Sequence, residues 1–221
     1  PDCGATLVKA EAEAKWFCPD RDSCPTQIKG KMLHFCSRKA MDILAGDSTI
    51  DQFYEAGIAR CPADLYDINK FQLTSLEGWQ DKSAQRFLDS LAASREVPFE
   101  RVLHAIGIRY VGETTAKTLA RHFGDIDALA AATEEQLLEV GDVGDIIARS
   151  VYEYFRNQAH LAEIARLREK GLQFAVNGDA KALSDALADA LQTHRLLVGT
   201  IGNADAAADI DELEFNADSL G

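Results

Sequence analysis

Apolar residues recur at helical spacing along most of the chain, in short stretches that glycine or proline interrupts. Spacings of three and four residues place such side chains on one face of a helix, whereas no segment alternates long enough to predict a strand. Gly57, Gly107, Gly124 and Gly171 each follow an apolar stretch, where a left-handed residue ends a helix readily. The pattern predicts a mainly α-helical protein with helices over 31–41, 49–56, 83–94, 98–106, 114–123, 145–155 and 159–170. Thr133 and Gln136 form a capping box that predicts one more helix.

A repeat of 32 residues runs through this helical region. Segments 76–84, 108–116 and 140–148 align with one another, and their final residues are Ala84, Ala116 and Ala148. A weaker copy covers residues 42–50, 34 residues before the first of these segments. Each unit is typical of a helix, a tight hairpin and a second helix, and such units bury their apolar faces against their neighbours. The repeat therefore predicts four tandem helix-hairpin-helix units.

Glycine stands directly before the second helix in three of the four units, as Gly46, Gly112 and Gly144. The second unit has Gln80 there and keeps only the earlier Gly78. Glycine allows a ligand to approach the main chain closely, and the unpaired N–H groups at a helix start attract anions. Repeated sites of this kind would hold DNA phosphates without reading bases. The predicted DNA contacts are Gly46, Gly78, Lys82, Arg109, Gly112, Thr114, Thr115, Lys117, Gly144 and Arg149.

The four units are not equally suited to phosphate. The third combines Gly112 with two threonines and a lysine, whereas the fourth places Asp142 and Asp145 at its turn. Carboxylates there oppose a phosphate, although an acid in a first helical turn also suits the helix dipole. We expect a β-branched residue at Gly112 to block close approach and to force a strained φ. The alternative is that these glycines only cap helices of an all-α bundle.

Three cysteines near the start predict a metal site. Cys3, Cys18 and Cys24 are separated by 14 and then five residues, and Gly4 follows Cys3 as in a zinc knuckle. Because a structural zinc takes four thiolate or imidazole ligands, the pattern predicts a tetracysteine finger over residues 1–30 whose fourth cysteine would precede Pro1. Cys36 or His34 could substitute, but both lie on a predicted helix, and Cys36 is more simply a core residue. Five cysteines, an odd number, favour metal or thiol chemistry over a disulfide framework.

The charge distribution separates the end of the chain from the rest. The net charge is −13, and residues 177–221, with nine acids and two bases, account for −7 of it, which leaves −6 for residues 1–176. This balance excludes a strongly basic nucleic-acid binder but not local basic patches. We interpret residues 31–176 as the helix-hairpin-helix domain, 180–198 as an amphipathic helix and 204–221 as an acidic tail. No apolar run of membrane-spanning length and no signal peptide are found, which favours a cytoplasmic location.

The cysteine spacing together with segments 24–27, 34–42, 63–66, 107–117 and 120–124 resembles the C-terminal portion of a bacterial NAD-dependent DNA ligase. The resemblance covers residues 1–176 and implies a structural Zn²⁺ and a four-hairpin domain that grips nicked duplex DNA. It also implies upstream ligase domains, where NAD and Mg²⁺ act, and activity in replication and repair. The family's K-x-D-G motif does not occur in these 221 residues, so we expect no catalytic residue here and no ligation by this segment alone. Residues 177–221 show no pattern of the BRCT domain with which the family usually continues.

Two other classes of protein remain open from the sequence. A base-excision glycosylase can use the same hairpin, but it would need a catalytic carboxylate or lysine in an apolar pocket, and the sequence offers no such pair. The overall acidity, together with Asp142 and Asp145, favours a structural or protein-binding helical module that does not bind DNA.

Overall fold

The computed structural model describes residues 2–9, 16–20 and 23–176. The expected amphipathic helix over 180–198 and the acidic tail over 204–221 lie outside the described residues. Within the described ranges the chain is helical and its only β pairing consists of two isolated bridges. The helices are α1 (Pro25–Cys36), α2 (Asp47–Glu55), α3 (Pro62–Leu65), α4 (Lys70–Thr74), α5 (Asp81–Ser94), α6 (Phe99–Ala105), α7 (Glu113–Phe123), α8 (Ile126–Ala131), α9 (Glu134–Leu138), α10 (Asp145–Tyr154) and α11 (Gln158–Glu169).

The mainly α-helical prediction is confirmed, and most of the predicted helices lie within two residues of the observed ones. The first prediction, over 31–41, is wrong in its limits. Pro25 occupies the first turn directly after Cys24, where its missing N–H costs nothing, and the chain becomes extended at Ser37. The capping box before α9 is present, because Gln136 N–H donates to Thr133 Oγ1 at 3.3 Å. The short helices α3, α4 and α8 have too few turns to show a helical period and were not predicted.

The glycines predicted to end helices have the expected left-handed conformation. Their φ angles are 68° at Gly57, 72° at Gly107, 80° at Gly124 and 89° at Gly171.

The repeat alanines lie in the core, where they allow close packing within each unit. Ala84 and Ala116 are fully buried, and Ala148 is nearly so. An aromatic cluster joins the first two units: the Phe53 ring on α2 lies 5.7 Å from Trp79 and 5.3 Å from Phe87, between ring centroids. Small residues at the tightest contacts and large rings between units produce one continuous core.

The segment that follows α11 runs back along the start of α8. Ile126 N–H donates to the Phe174 carbonyl at 2.9 Å, and Val176 N–H donates to the Gly124 carbonyl at 2.7 Å. These bonds fix the end of the helical region against the turn between α7 and α8. In the part of the chain that the structure describes, no helix is long and apolar enough to cross a membrane.

Candidate nucleic-acid interface and metal centre

Four loops lead into the second helices of the predicted units; we call them the first (37–46), second (75–80), third (106–112) and fourth (139–144) hairpins. In the last three, a left-handed residue recurs every 32 positions, with φ of 81° at Gly78 and 65° at both Tyr110 and Asp142. Two residues later each chain is extended, at Gln80, Gly112 and Gly144, and a helix begins. The first hairpin differs, because its left-handed residue is Asp42, four residues before Gly46. The backbone therefore repeats closely in three hairpins, and the first is a variant.

The fold itself does not require glycine at the helix starts. Gly112 has φ −82° and ψ −180°, and a Cβ built there meets nothing within 4 Å. The expectation of a strained φ in a β-branched variant is therefore wrong, because any residue adopts this extended conformation. Gly46 and Gly144 have comparable angles and equally open surroundings. Packing inside the chain does not require these glycines. Glycine is itself favourable at a helix N-cap, and its missing side chain also leaves the backbone open to an outside molecule.

The third hairpin combines this open backbone with donors and cations. No side chain caps α7, so its first N–H groups face outward with the positive end of the helix dipole. Thr114 is exposed and Thr115 half-buried in the first turn, and the exposed Lys117 and Arg121 follow four residues apart on one face. The predicted group of Gly112, Thr114, Thr115 and Lys117 is thus brought together at the start of α7.

Arg109 has a different environment from the one that the sequence suggested. Its guanidinium lies over the Phe17 ring, 4.0 Å from the centroid, and 4.9 Å from the Tyr110 centroid. Phe17 belongs to the N-terminal finger, where it pairs with Val8 in an antiparallel bridge. Arg109 therefore connects the finger to the third hairpin, in addition to adding positive charge beside it.

All four helices that follow a hairpin begin with an acid: Asp47, Asp81, Glu113 and Asp145. Two of these acids are compensated, since Lys70 Nζ lies 3.0 Å from Asp81 and Lys39 Nζ lies 3.1 Å from Glu113. The hydrogen bond and charge of Lys39 hold the pKa of Glu113 below its usual value. Among the described residues, Asp47 and Asp145 form no ion pair. An anion would therefore meet less repulsion at the second and third hairpins. The pairing of Lys39 with Glu113 was not predicted because the two residues are remote in sequence.

The remaining predicted contacts lie near the second and fourth hairpins. Gly78 is open to solvent, and Lys82 and Arg149 are exposed near the starts of α5 and α10. Within the described ranges neither side chain takes part in an ion pair. The second hairpin also binds its own helix start, because Gln80 N–H donates to Ser83 Oγ at 2.9 Å.

Three cysteines of the N-terminal segment come together, although Cys3 is distant in sequence from the other two. The Sγ atoms of Cys3, Cys18 and Cys24 all lie within 4.8 Å of one another, and those of Cys3 and Cys18 are 3.5 Å apart. Tetrahedral zinc with Zn–S bonds of about 2.3 Å places its sulfurs roughly 3.8 Å apart. The cluster therefore fits three of the four ligands of a structural zinc site.

The thiols of Cys18 and Cys24 have pKa values shifted in opposite directions. Cys24 directly precedes α1, and a hydrogen bond from the Gln27 backbone lowers the pKa of its thiol. Burial, with a contribution from the neighbouring Cys3 and Cys24 thiols, raises the pKa of Cys18 to about 11. A zinc ion would offset the raised pKa of Cys18, because thiolates become favoured when a dication binds them.

The two alternative ligands do not reach the cluster. Cys36 is 2% exposed within the hydrophobic core, and burial raises its pKa to about 12. His34 Nε2 instead forms a hydrogen bond with the His104 carbonyl at 2.9 Å. All five cysteines are free thiols.

The fold and the two sites define a protein class in which a small cysteine cluster precedes helix-hairpin-helix units. A family model described as the NAD-dependent DNA ligase C4 zinc finger domain matches residues 1–25, and a model of the helix-hairpin-helix motif matches residues 101–164. The second match includes the third and fourth hairpins. Assignment of the first two as the same motif stays a prediction.

Relatives named DNA ligase match most of the chain. The Parabacteroides distasonis protein is 46% identical over 182 residues, which is 82% of this chain and 27% of the relative. The Bacteroides fragilis protein is 43% identical over 190 residues (85% of this chain, 29% of the relative), and the Christiangramia forsetii protein 43% over 183 (82% and 28%). The chain thus spans between a quarter and a third of the length of these relatives. It belongs to the NAD-dependent DNA ligases, as a portion that carries their zinc finger and helix-hairpin-helix region.

Proposed function

We propose that residues 1–176 bind duplex DNA without sequence preference, as part of a ligase that seals nicks in replication and repair. The observation that carries this proposal is the start of α7. There an exposed Gly112 with no internal need to be glycine adjoins uncapped amides and the Lys117 ammonium. Backbone amides and cations that contact phosphates fix a protein on DNA but do not read its sequence. The relatives' name, DNA ligase, supports the same partner.

We assign the metal ligands of this chain to Cys3, Cys18 and Cys24. Zinc at this position would fix the finger, and through Phe17 it would hold Arg109 beside the third hairpin. The reaction with NAD and Mg²⁺ would take place in upstream domains of the ligase. Residues 1–176 would hold the duplex, and a strand break in that duplex would be the substrate of those domains. A cytoplasmic location accords with five free thiols.

A second candidate is a structural or protein-binding helical module that does not bind DNA. The net charge of −13 and the uncompensated Asp145 at the fourth hairpin favour it. The two candidates differ in their response to salt, because each released counterion makes DNA affinity depend on ionic strength.

Fluorescence anisotropy with labelled intact and nicked duplexes of one sequence tests the proposal. We expect log affinity to fall linearly with log salt, with dissociation constants of about 10⁻⁴–10⁻⁶ M at physiological salt, as for other non-specific binders. Unchanged affinity on a scrambled duplex would accord with the absence of base reading. If the folded chain binds neither duplex at low salt, the DNA proposal is wrong and the helical-module candidate stands.

A further inference from the structure

A groove with a volume of about 590 Å³ lies between the first and second hairpin units. Small-molecule sites in proteins typically have volumes of about 300–1,000 Å³. Both units contribute residues to its walls: Leu44, Ser48, Thr49 and Gln52 from the first, and Glu77, Gly78, Trp79, Ser83, Arg86 and Phe87 from the second. The third hairpin contributes none, so the groove is separate from the phosphate site proposed at the start of α7.

The indole of Trp79 forms a fixed apolar wall of this groove. Its Nε1–H donates to Gln52 Oε1 at 2.7 Å, and Gln52 Nε2–H donates to the Glu77 carbonyl at 2.9 Å. The ring also stacks on Phe53, with 5.7 Å between centroids. Leu44, which is 53% exposed, extends the apolar surface from the first unit. Because the indole is already held in place by both units, a ligand that packs against it has little ordering cost to overcome.

The groove also contains polar side chains that are available to a ligand. Within the described part of the chain, four of them take part in no hydrogen bond or ion pair: Ser48, Thr49, Glu77 and Arg86. The guanidinium of Arg86 suits a phosphate, since its planar N–H groups can donate two parallel bonds. An ionised carboxylate such as that of Glu77 only accepts hydrogen bonds, whereas the two hydroxyls can donate or accept. The groove therefore offers a cation for an anionic group and a carboxylate for an N–H edge.

A nucleotide combines the three features that match these walls: a flat base, N–H groups at the edge of that base, and a phosphate. We propose that the groove binds one unpaired nucleotide, whose base packs against Trp79 and Leu44 and whose phosphate meets Arg86. Stacking of bases on aromatic side chains, together with cations along the backbone, is the usual basis for binding single strands. Neighbouring bases cover the faces of a base inside a duplex, so the groove would not hold intact duplex. The inference goes beyond the duplex binding proposed for the third hairpin and does not depend on it.

Trp79 supplies the probe, because a base that packs against an indole quenches its fluorescence. The chain has one other tryptophan, Trp16, which is 65% exposed, so Trp16→Phe in the 221-residue chain leaves Trp79 as the sole tryptophan with little effect on folding. Deoxyadenosine monophosphate and a short single-stranded oligodeoxyadenylate are titrated into this protein, and we expect saturable quenching by both. Tighter binding of the oligonucleotide would identify an unpaired DNA strand as the source of the nucleotide, and equal binding would identify a free nucleotide.

Arg86→Ala in the same background should weaken binding of both ligands roughly five- to tenfold, since it removes a charged donor to the phosphate. Leu44→Ala should weaken it about twofold by removing part of the apolar wall. Both side chains are exposed, so melting curves should match the parent. Lys9→Ala is the matched control, because it removes one exposed positive charge that does not line the groove, and it should bind as the parent does.

Three results would overturn the nucleotide proposal: no saturable quenching in the folded protein, parental affinity in Arg86→Ala, or an equal loss in Lys9→Ala. None of them bears on duplex binding at the third hairpin, which stands or falls by the salt titration of duplex affinity.

Discussion

Substitution of valine for Gly112 tests whether the start of α7 contacts phosphate, and Gly144→Val is its natural control. Both glycines precede a helix, with φ/ψ of −82°/−180° and −93°/175°. Neither has an atom within 4 Å of an added Cβ. The two positions therefore present nearly the same local structure. Only Gly112, however, is followed by an acid whose charge is paired with a lysine, Glu113 with Lys39. Thr114, Thr115 and Lys117 then add hydroxyl and ammonium donors near that helix start.

The expected effect on folding is small and equal at the two sites. Valine is a poorer residue than glycine at a helix start, with a cost of about 1 kcal/mol or less. For a domain of this size, 1 kcal/mol lowers the melting temperature by roughly 2–4 °C. Thermal melts followed by circular dichroism should show this modest shift in both variants, without the larger loss that backbone strain would cause.

The expected effect on binding differs between the sites. A hydrogen bond to a charged group contributes about 1.5–3 kcal/mol, so loss of one amide–phosphate contact at Gly112 should weaken duplex binding roughly ten- to 150-fold. Gly144→Val should bind within about twofold of the parent, because Asp142 and Asp145 already disfavour phosphate there. Anisotropy titrations at one low salt concentration measure both. Equal losses in the two variants, or none in either, would refute the assignment of the third hairpin as the phosphate site.

Other predictions concern single charges, the metal and pH. Lys117→Ala should reduce the magnitude of the log–log salt slope by about one unit if the ammonium contacts a phosphate; an unchanged slope would exclude that contact. Lys39→Ala should weaken duplex binding roughly two- to fivefold by exposing the Glu113 charge, and adding Glu113→Gln to that variant should restore the affinity. If the double variant binds as weakly as Lys39→Ala alone, Lys39 does not act by neutralising Glu113. Cys18→Ser should lower the zinc-to-protein ratio measured with a chromophoric chelator, whereas Cys61→Ala should not, and equal ratios would reject the cluster. Burial and the neighbouring His34 depress the pKa of His104, so the unfolded chain binds more protons below about pH 6.5 and stability should fall there. His104→Gln should flatten that part of a melting-temperature profile, and an unaltered profile would assign the effect to another group.

The periodic features of the fold could be predicted because they depend on local patterning. The 32-residue step predicted hairpins at equivalent positions, and the structure has left-handed residues at 78, 110 and 142 with that same step. The small residue Ala116 was expected to allow close packing, and it is fully buried. The start of α1 could not be predicted in the same way. Its first turn has few apolar residues, and its position is set by Pro25 and by the cysteine cluster that Cys24 joins.

The electrostatics of the site depended on contacts that sequence spacing does not encode. Lys39 and Glu113 are 74 positions apart, and the Phe17 contact of Arg109 joins segments separated by 92 positions. Arg109 consequently appeared in the sequence as one more phosphate cation, whereas its guanidinium also connects the finger to the hairpin. The conformation of Gly112 was inferred wrongly for a related reason. Glycine suggested a positive φ, but the backbone of Gly112 is extended and its surroundings are open, so its small size would matter only in the proposed contact with DNA.

The acidity of the chain and its proposed partner are reconciled by where the acids lie. Each hairpin helix starts with a carboxylate, which stabilises the helix through its dipole when no ligand is present. At the second and third hairpins a lysine from elsewhere in the fold pairs with that carboxylate, so the helix start can accept phosphate without direct repulsion. At the fourth, Asp142 and Asp145 have no such ion-pair partner among the described residues. A duplex that lies across these units would therefore be held most strongly at the third hairpin and least at the fourth, an asymmetry that the net charge alone does not reveal.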